Sequence, residues 1–466
     1  MTDSQQDRAL IGHLLRRTGF GASGAEIDAA SALGYQALVD DLFAVGPDPG
    51  VVATPPPTGL ADPLPGGKAT PAQTKAANAQ RTQAAYELIA WWIARMVAAH
   101  RPWVEKRTFF WHGHFATSVQ KVRSAALMLE QNETQRTLGG GDFRTLMRAM
   151  LTDPAMMIWL DAAGSTAKAP NENLARESME LFSLGVGNYT ETDVRQAALT
   201  LTGWRLDRSS GKAVFVAKAH AAGPETILGR TAAFDVDAFT DLLMAQPANA
   251  RFIASRMWFR LGSSDPIPAD TLNRLISAYG ANHDLSALAR AIFTDPVFTN
   301  DAVSTNSTAS TTDAASTNNA ATASSASARY ALVKQPVEYV VGAMRALKVN
   351  PPADGSAPES ALLRAALNGL GQLPFAPPNV GGWPSGRLWL TTAATQARIT
   401  FAHWVATAGD VSQVADAAPS ARIDAAAHLL GIDAFSDRTR AALADVAGDP
   451  AALVELALLS PEYAVN

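Results

Sequence analysis

Three stretches of this chain follow one template, and the template is helical. Residues 142–156 read DFRTLMRAMLTDPAM, residues 284–298 read DLSALARAIFTDPVF, and residues 449–463 read DPAALVELALLSPEY. Each opens on an Asp suited to accept the first free backbone N–H groups of a helix. Apolar residues then recur at helical spacing, and a Ser or Thr precedes a proline that should stop the helix. An aromatic residue or Met follows the proline by two. The unequal spacing of the copies argues for a recurring helix-to-turn packing unit rather than a solenoid.

The rest of the chain agrees. Ser23 and Glu26 form a capping box for a helix reaching about Phe43, and a long helix is predicted from about Ala72 to His100 with Trp91, Trp92 and Met96 on its apolar side. His13 and Arg17 stand at i,i+4 on a helix over 5–18. The expectation is a predominantly all-α, large multi-helix globular domain with long irregular loops. A small β-hairpin is expected near 213–229, where KAVFVAKAH alternates weakly and GPETILG can turn. Residues 47–71 hold eight of the 27 prolines and read as an irregular loop. Residues 301–328 are almost entirely Ser, Thr, Asn, Asp and Ala. Such a segment cannot bury enough apolar surface to offset its ordering entropy, so it reads as a disordered insertion. Residues 1–300 and 329–466 are then two segments of one helical domain.

Composition removes several function classes. With net charge −5 and 17% charged residues, the chain lacks the basic field that collects nucleic acid. Cysteine is absent, so disulfides, thiolate metal sites and a cysteine nucleophile are excluded. No stretch approaches the ~18 apolar residues of a membrane span. The opening residues do not read as a signal peptide. The sequence as written is thus expected to be cytoplasmic, or exported with a partner or by another route.

Chemistry concentrates in PNENLARESMELFSLGVGNYTETDVRQAALTLTGW, residues 170–204. Pro170 and Asn171 suit a helix start, Glu172 sits in the first turn, and Gly185 and Gly187 supply the stop. At helical rotation Asn173, Arg176, Glu177 and Glu180 fall within an arc of about 100°. The remaining circumference is nearly all apolar or small. The stripe either faces water, with Arg176 and Glu180 as an i,i+4 pair, or turns inward to a cavity. Spacing alone leaves both open.

Two further segments supply candidates. In WVEKRTFFWHGHFATS, residues 103–118, His112 and His114 would point about 200° apart on a continuous helix. Glu105, Thr108 and His112 then share one face, and Arg107, Trp111 and His114 share another. Only an extended segment or a break at Gly113 would let both imidazoles serve one metal; acid–base and purely structural roles are the other readings. In QLPFAPPNVGGWPSGRLWL, residues 372–390, proline and glycine hold Phe375, Trp383 and Trp389 on a constrained loop. There they either stack against a ligand or plug a core.

HLLRRTGFG at 13–21, FFWHGHFATS at 109–118, NENLARESMELFSLGVGNYTETDV at 171–194, LTGW at 201–204 and PPNVGGWPSG at 377–386 together resemble the bacterial domain-of-unknown-function 1800 family. The resemblance implies an all-helical domain, and pairing with an exported sulfatase-like protein or fusion to glycan-associated modules. HAAGPETILG departs from the family pattern: Ala221 follows His220 where an acidic residue is expected, and Glu225 stands where lysine is common. The family carries no settled activity and names no cofactor.

Residues and resemblance together give this expectation. The stripe then turns inward: Glu177 and Glu180 face His112 across a cleft floored by the 170–184 helix, with one carboxylate as acid and another, or His112, as base. Asn173, Arg176 and His114 bind, and Trp111, Trp383 or Trp389 form a stacking wall. The expected activity is that of a hydrolase or lyase on a glycan or cell-envelope polymer. The alternatives are a non-catalytic helical scaffold for the sulfatase-like partner and a His/Glu metal-binding protein.

Overall fold

The structure, a computed structural model, describes residues 3–62, 69–207, 210–304, 332–352 and 354–466. The described residues are predominantly helical, and their strands form two small antiparallel pairs. Trp204–Asp207 pairs with Lys212–Phe215, and Glu225–Ile227 pairs with Arg230–Ala232. The expected hairpin near 213–229 is therefore the second strand of one hairpin and the first of the next. Among its described residues the Pro-rich 47–71 region contains the short helix Pro49–Val52 and ends where Pro71 opens the long helix Pro71–Ala98. The Pro296–Ser304 helix runs four residues into the 301–328 range. Residues 305–331, where the rest of the expected insertion falls, lie outside the described residues.

The repeated template becomes paired structure. Asp142, Asp284 and Asp449 each accept backbone N–H groups at a helix start. The first two copies meet at these caps: Phe143 N donates to His283 O at 2.9 Å and Leu285 N to Gly141 O at 3.0 Å. Pro154 and Pro296 do more than end a helix, because each opens the next one. The missing N–H costs nothing in a first turn, and the ring's fixed φ suits that position.

Apolar faces gather into two cores. One contains Trp111, Phe115, Phe143, Met179, Phe182 and Trp258. The other joins Trp91, Trp92 and Phe109 to Tyr339, Phe375 and Phe401, from both sides of the 301–328 range. Between them stands the histidine helix, Trp103–His114, which gives Phe109 to one core and Trp111 to the other. Its Glu105 is fully buried and held by Arg95 at 2.7 Å, by Arg136 at 2.9 and 3.0 Å, and by the Trp92 indole at 2.9 Å. A buried carboxylate is tolerated only with its charge and lone pairs met in this way. The fork fixes the helix between the cores.

Candidate functional site

The glutamate stripe lies on the helix Glu172–Glu180, whose start is capped by Asn171 accepting from Asn173 N at 2.9 Å. Leu174, Ala175, Ser178 and Met179 are buried. The stripe itself is at the rim: Asn173 is exposed, and Arg176, Glu177 and Glu180 are half-buried. The inward-facing orientation expected from the apolar remainder is not formed. The reason is the neighbouring helix Glu191–Thr200, opened by the Thr190/Asp193 capping box. Its Glu191 takes both arms of the Arg176 guanidinium, at 2.6 and 2.8 Å, while Glu172 accepts more weakly at 3.5 Å. Two-armed pairing of this kind holds the arginine at the surface. Glu180 accepts from the hydroxyl of Tyr189, a partner the sequence reading missed. Burial and Glu180 push the Tyr189 phenol up to about 12.

Glu177 differs from its neighbours. Among the described residues its carboxylate has no hydrogen bond and no ion pair. Partial burial raises its carboxyl above the ordinary value and Glu180 adds to the rise, while Arg176 opposes it.

His112 is not across from these glutamates. Its Nε2 accepts the backbone N–H of Phe375 at 2.9 Å, and its ring packs on Trp92, Phe375 and Trp383. No hydrogen bond joins it to Glu177 or Glu180. The helix does not break at Gly113, so the rotation of about 200° sends the two histidines to opposite cores. His114 reaches Phe182 O through Nε2 at 2.9 Å and packs near Phe110, Trp111, Phe115 and Phe143. Burial pushes both imidazoles down to about 3, and for His114 the charge of Arg256 adds to this. Both are neutral near pH 7.

The expected stacking wall is mostly core. Trp111 is buried, donates to Gly139 O at 2.7 Å and stacks near Phe115 and Phe143. Trp389 is also buried. Trp383 differs, because it lines a small pocket against the histidine helix together with Lys106, His114, Arg256, Arg260 and Gln335. The pocket's loop wall is seated by close approach: a Cβ on Gly382 would lie 2.5 Å from the Gly113 carbonyl oxygen, and its φ is +84°. Lys106, Arg256, Arg260 and Gln335 drew no attention as sequence. They come from three separated segments, and only folding brings their charges together. The stripe residues do not line this pocket.

Among the described residues no group of three or more His, Cys, Asp or Glu side chains could hold a metal ion. No described helix is long and apolar enough to cross a membrane.

These features define a predominantly helical protein with two cores, a rim of glutamates and an arginine-lined pocket. The chain belongs to the family described as protein of unknown function (DUF1800), whose family model matches residues 13–465. No curated protein and no solved structure matches it.

Proposed function

We propose that the protein is an acid–base enzyme, a hydrolase or lyase acting on a glycan or other cell-envelope polymer, with its chemistry at the Glu177–Glu180–Tyr189 rim. The observation that carries this reading is Glu177, the one glutamate of the rim with no partner and with a raised carboxyl. A carboxylic acid that keeps its proton closer to neutral pH is suited to protonate a leaving oxygen. Glu180, oriented by the Tyr189 hydroxyl, then acts as the base, a role for which the sequence offered either a second carboxylate or His112. Substitution to glutamine keeps shape and removes the proton, so Glu177→Gln and Glu180→Gln are expected to abolish release of reducing ends or unsaturated products from isolated bacterial envelope polysaccharide, with folding intact by circular dichroism. Wild-type rates in both folded variants would end this assignment.

A second reading rests on Arg176. Its two-armed bond to Glu191 ties one helix to the next, as expected of a register-fixing network in a non-catalytic scaffold. Its partner would be the sulfatase-like protein. Loss of fold in both glutamine variants would favour it.

A further inference from the structure

We propose that the pocket between the histidine helix and the Arg256–Arg260 segment is a binding site for a small tetrahedral oxyanion, sulfate or phosphate.

Charge is the first observation. Lys106, Arg256 and Arg260 line the pocket. Among the described residues neither arginine has an ion pair or a hydrogen bond from its side chain; the ring contacts are Phe252 for Arg256 and Phe259 for Arg260. Both are half-buried, where an unpaired guanidinium is costly. Glu338 is the nearby carboxylate, and it is already engaged by Lys106, Gln335 and Asn466. Lys106 gives one N–H to Glu338 and one to Gly19 O at 2.8 Å, which leaves the third of its three donors. Burial and the neighbouring positive charge lower Arg260. Two guanidiniums and one spare ammonium proton are the donor set that planar and tetrahedral oxyanions recruit.

Shape is the second. Gly113 sits inside the histidine helix, where glycine costs about 1 kcal/mol relative to alanine. A Cβ built on it meets nothing within 4 Å. No neighbour therefore requires the glycine, and Gly113 is part of the pocket wall. Its missing side chain is what keeps the pocket open. The pocket is small, on the scale of a water molecule or a compact ion, which suits a small oxyanion better than a sugar ring.

Backbone geometry is the third. The helix Pro247–Met257 passes into a π turn over Trp258–Gly262, closed by Ser263 N donating to Trp258 O at 3.0 Å. Such turns disturb helical packing and concentrate at functional sites. This one places Arg260 at the pocket beside Arg256.

Sulfate stabilises proteins non-specifically, so binding must be read directly. Isothermal titration calorimetry of the full chain with sodium sulfate, sodium phosphate and methyl phosphate, against sodium chloride at equal ionic strength, provides that readout. One equivalent per chain is expected for at least one oxyanion and none for chloride. Tighter inorganic phosphate than methyl phosphate identifies a free anion; the reverse identifies an ester end. The double variant Arg256→Gln with Arg260→Gln should bind at least about tenfold more weakly. Gly113→Leu should lose binding to the same extent with an unchanged or raised unfolding midpoint, which separates a filled pocket from a damaged fold. Absence of oxyanion-specific heat in the wild type, or unaltered binding by Gly113→Leu, overturns the proposal. Neither result bears on Glu177, whose test reads turnover.

Discussion

The backbone N–H of Phe375 donates to Nε2 of His112 at 2.9 Å, and this bond fixes the neutral His112 ring as its Nδ1–H tautomer. It pins the Pro/Gly loop to the histidine helix inside the Trp92 core. His112→Ala removes buried ring packing and orphans a buried N–H, so a loss of about 2–4 kcal/mol is expected in urea unfolding. The acid side follows from burial, which holds His112 near 3. An unfolded histidine titrates near 6.5, so the unfolded chain binds the proton first. Stability is full above about 6.5 and falls as pH drops toward 3. A variant that still folds should show a shallower fall across that window. An unchanged slope would remove His112 as a source of acid sensitivity.

Glu177 reverses the sign. Its carboxyl is raised in the folded state, chiefly by burial, so the folded chain holds the proton more tightly than the unfolded one. That contribution is present at low pH and is lost as pH rises through the carboxylate range. Glu177→Gln should therefore match or exceed wild-type stability at neutral pH, while abolishing turnover under the proposed mechanism. Denaturation midpoints at pH 4 and pH 7 check the first half. A glutamine variant less stable than wild type at pH 7 would indicate that the carboxylate has a structural partner.

How far the sequence revealed these residues depended on the range of the forces involved. Capping is local chemistry, and Asn171, Ser23 with Glu26, and the three repeat Asp residues were all legible from spacing. Helical rotation was legible too: His112 and His114 diverge into opposite cores as a continuous helix requires. The apolar back of the stripe helix misled, because burial of Leu174 and Met179 says nothing about what covers the other side. Glu191, a helix away, decided that. Arg256 and Arg260 carry no spacing signal of their own. Their significance depends on Lys106 and Gly113, about 150 residues earlier in the chain, and no periodicity encodes a meeting over that distance.

Lys334 gives a prediction on the alkaline side. It is buried beside Lys106 with its Nζ 3.6 Å from the centre of the Tyr463 ring. Burial first, then the charge of Arg16, lowers it to about 7, against a smaller opposing pull from Glu338. An unfolded lysine titrates near 10.4, so the unfolded state binds more protons between about 7 and about 10. Stability should rise with pH across that window. Lys334→Met keeps the stem and removes the titration, flattening the rise and adding stability at neutral pH, on the order of a few kcal/mol. Thermal midpoints at intervals from pH 7 to pH 10 test it; a wild-type curve without the rise would mean that Lys334 keeps its charge.

Glu105 is the buried charge on which two arginines depend. Arg95, Arg136 and Trp92 all donate to it. Desolvation pushes its carboxyl up, but the attraction and hydrogen bonds of Arg136 and Arg95 outweigh that and leave it below the ordinary value. Stability from a lowered carboxyl is present above the ordinary carboxylate range and is lost as pH falls through the lower folded value. Glu105→Gln keeps the shape but leaves the Arg95 guanidinium without a counter-ion and Arg136 with only the half-buried Glu133, and a loss of about 3–5 kcal/mol is expected. Adding Arg136→Met to Glu105→Gln removes one of those under-compensated charges. If the cost comes from uncompensated charge, the double variant should be more stable than Glu105→Gln alone. Strictly additive losses in the mutant cycle would instead show that packing, not charge, makes this contact matter.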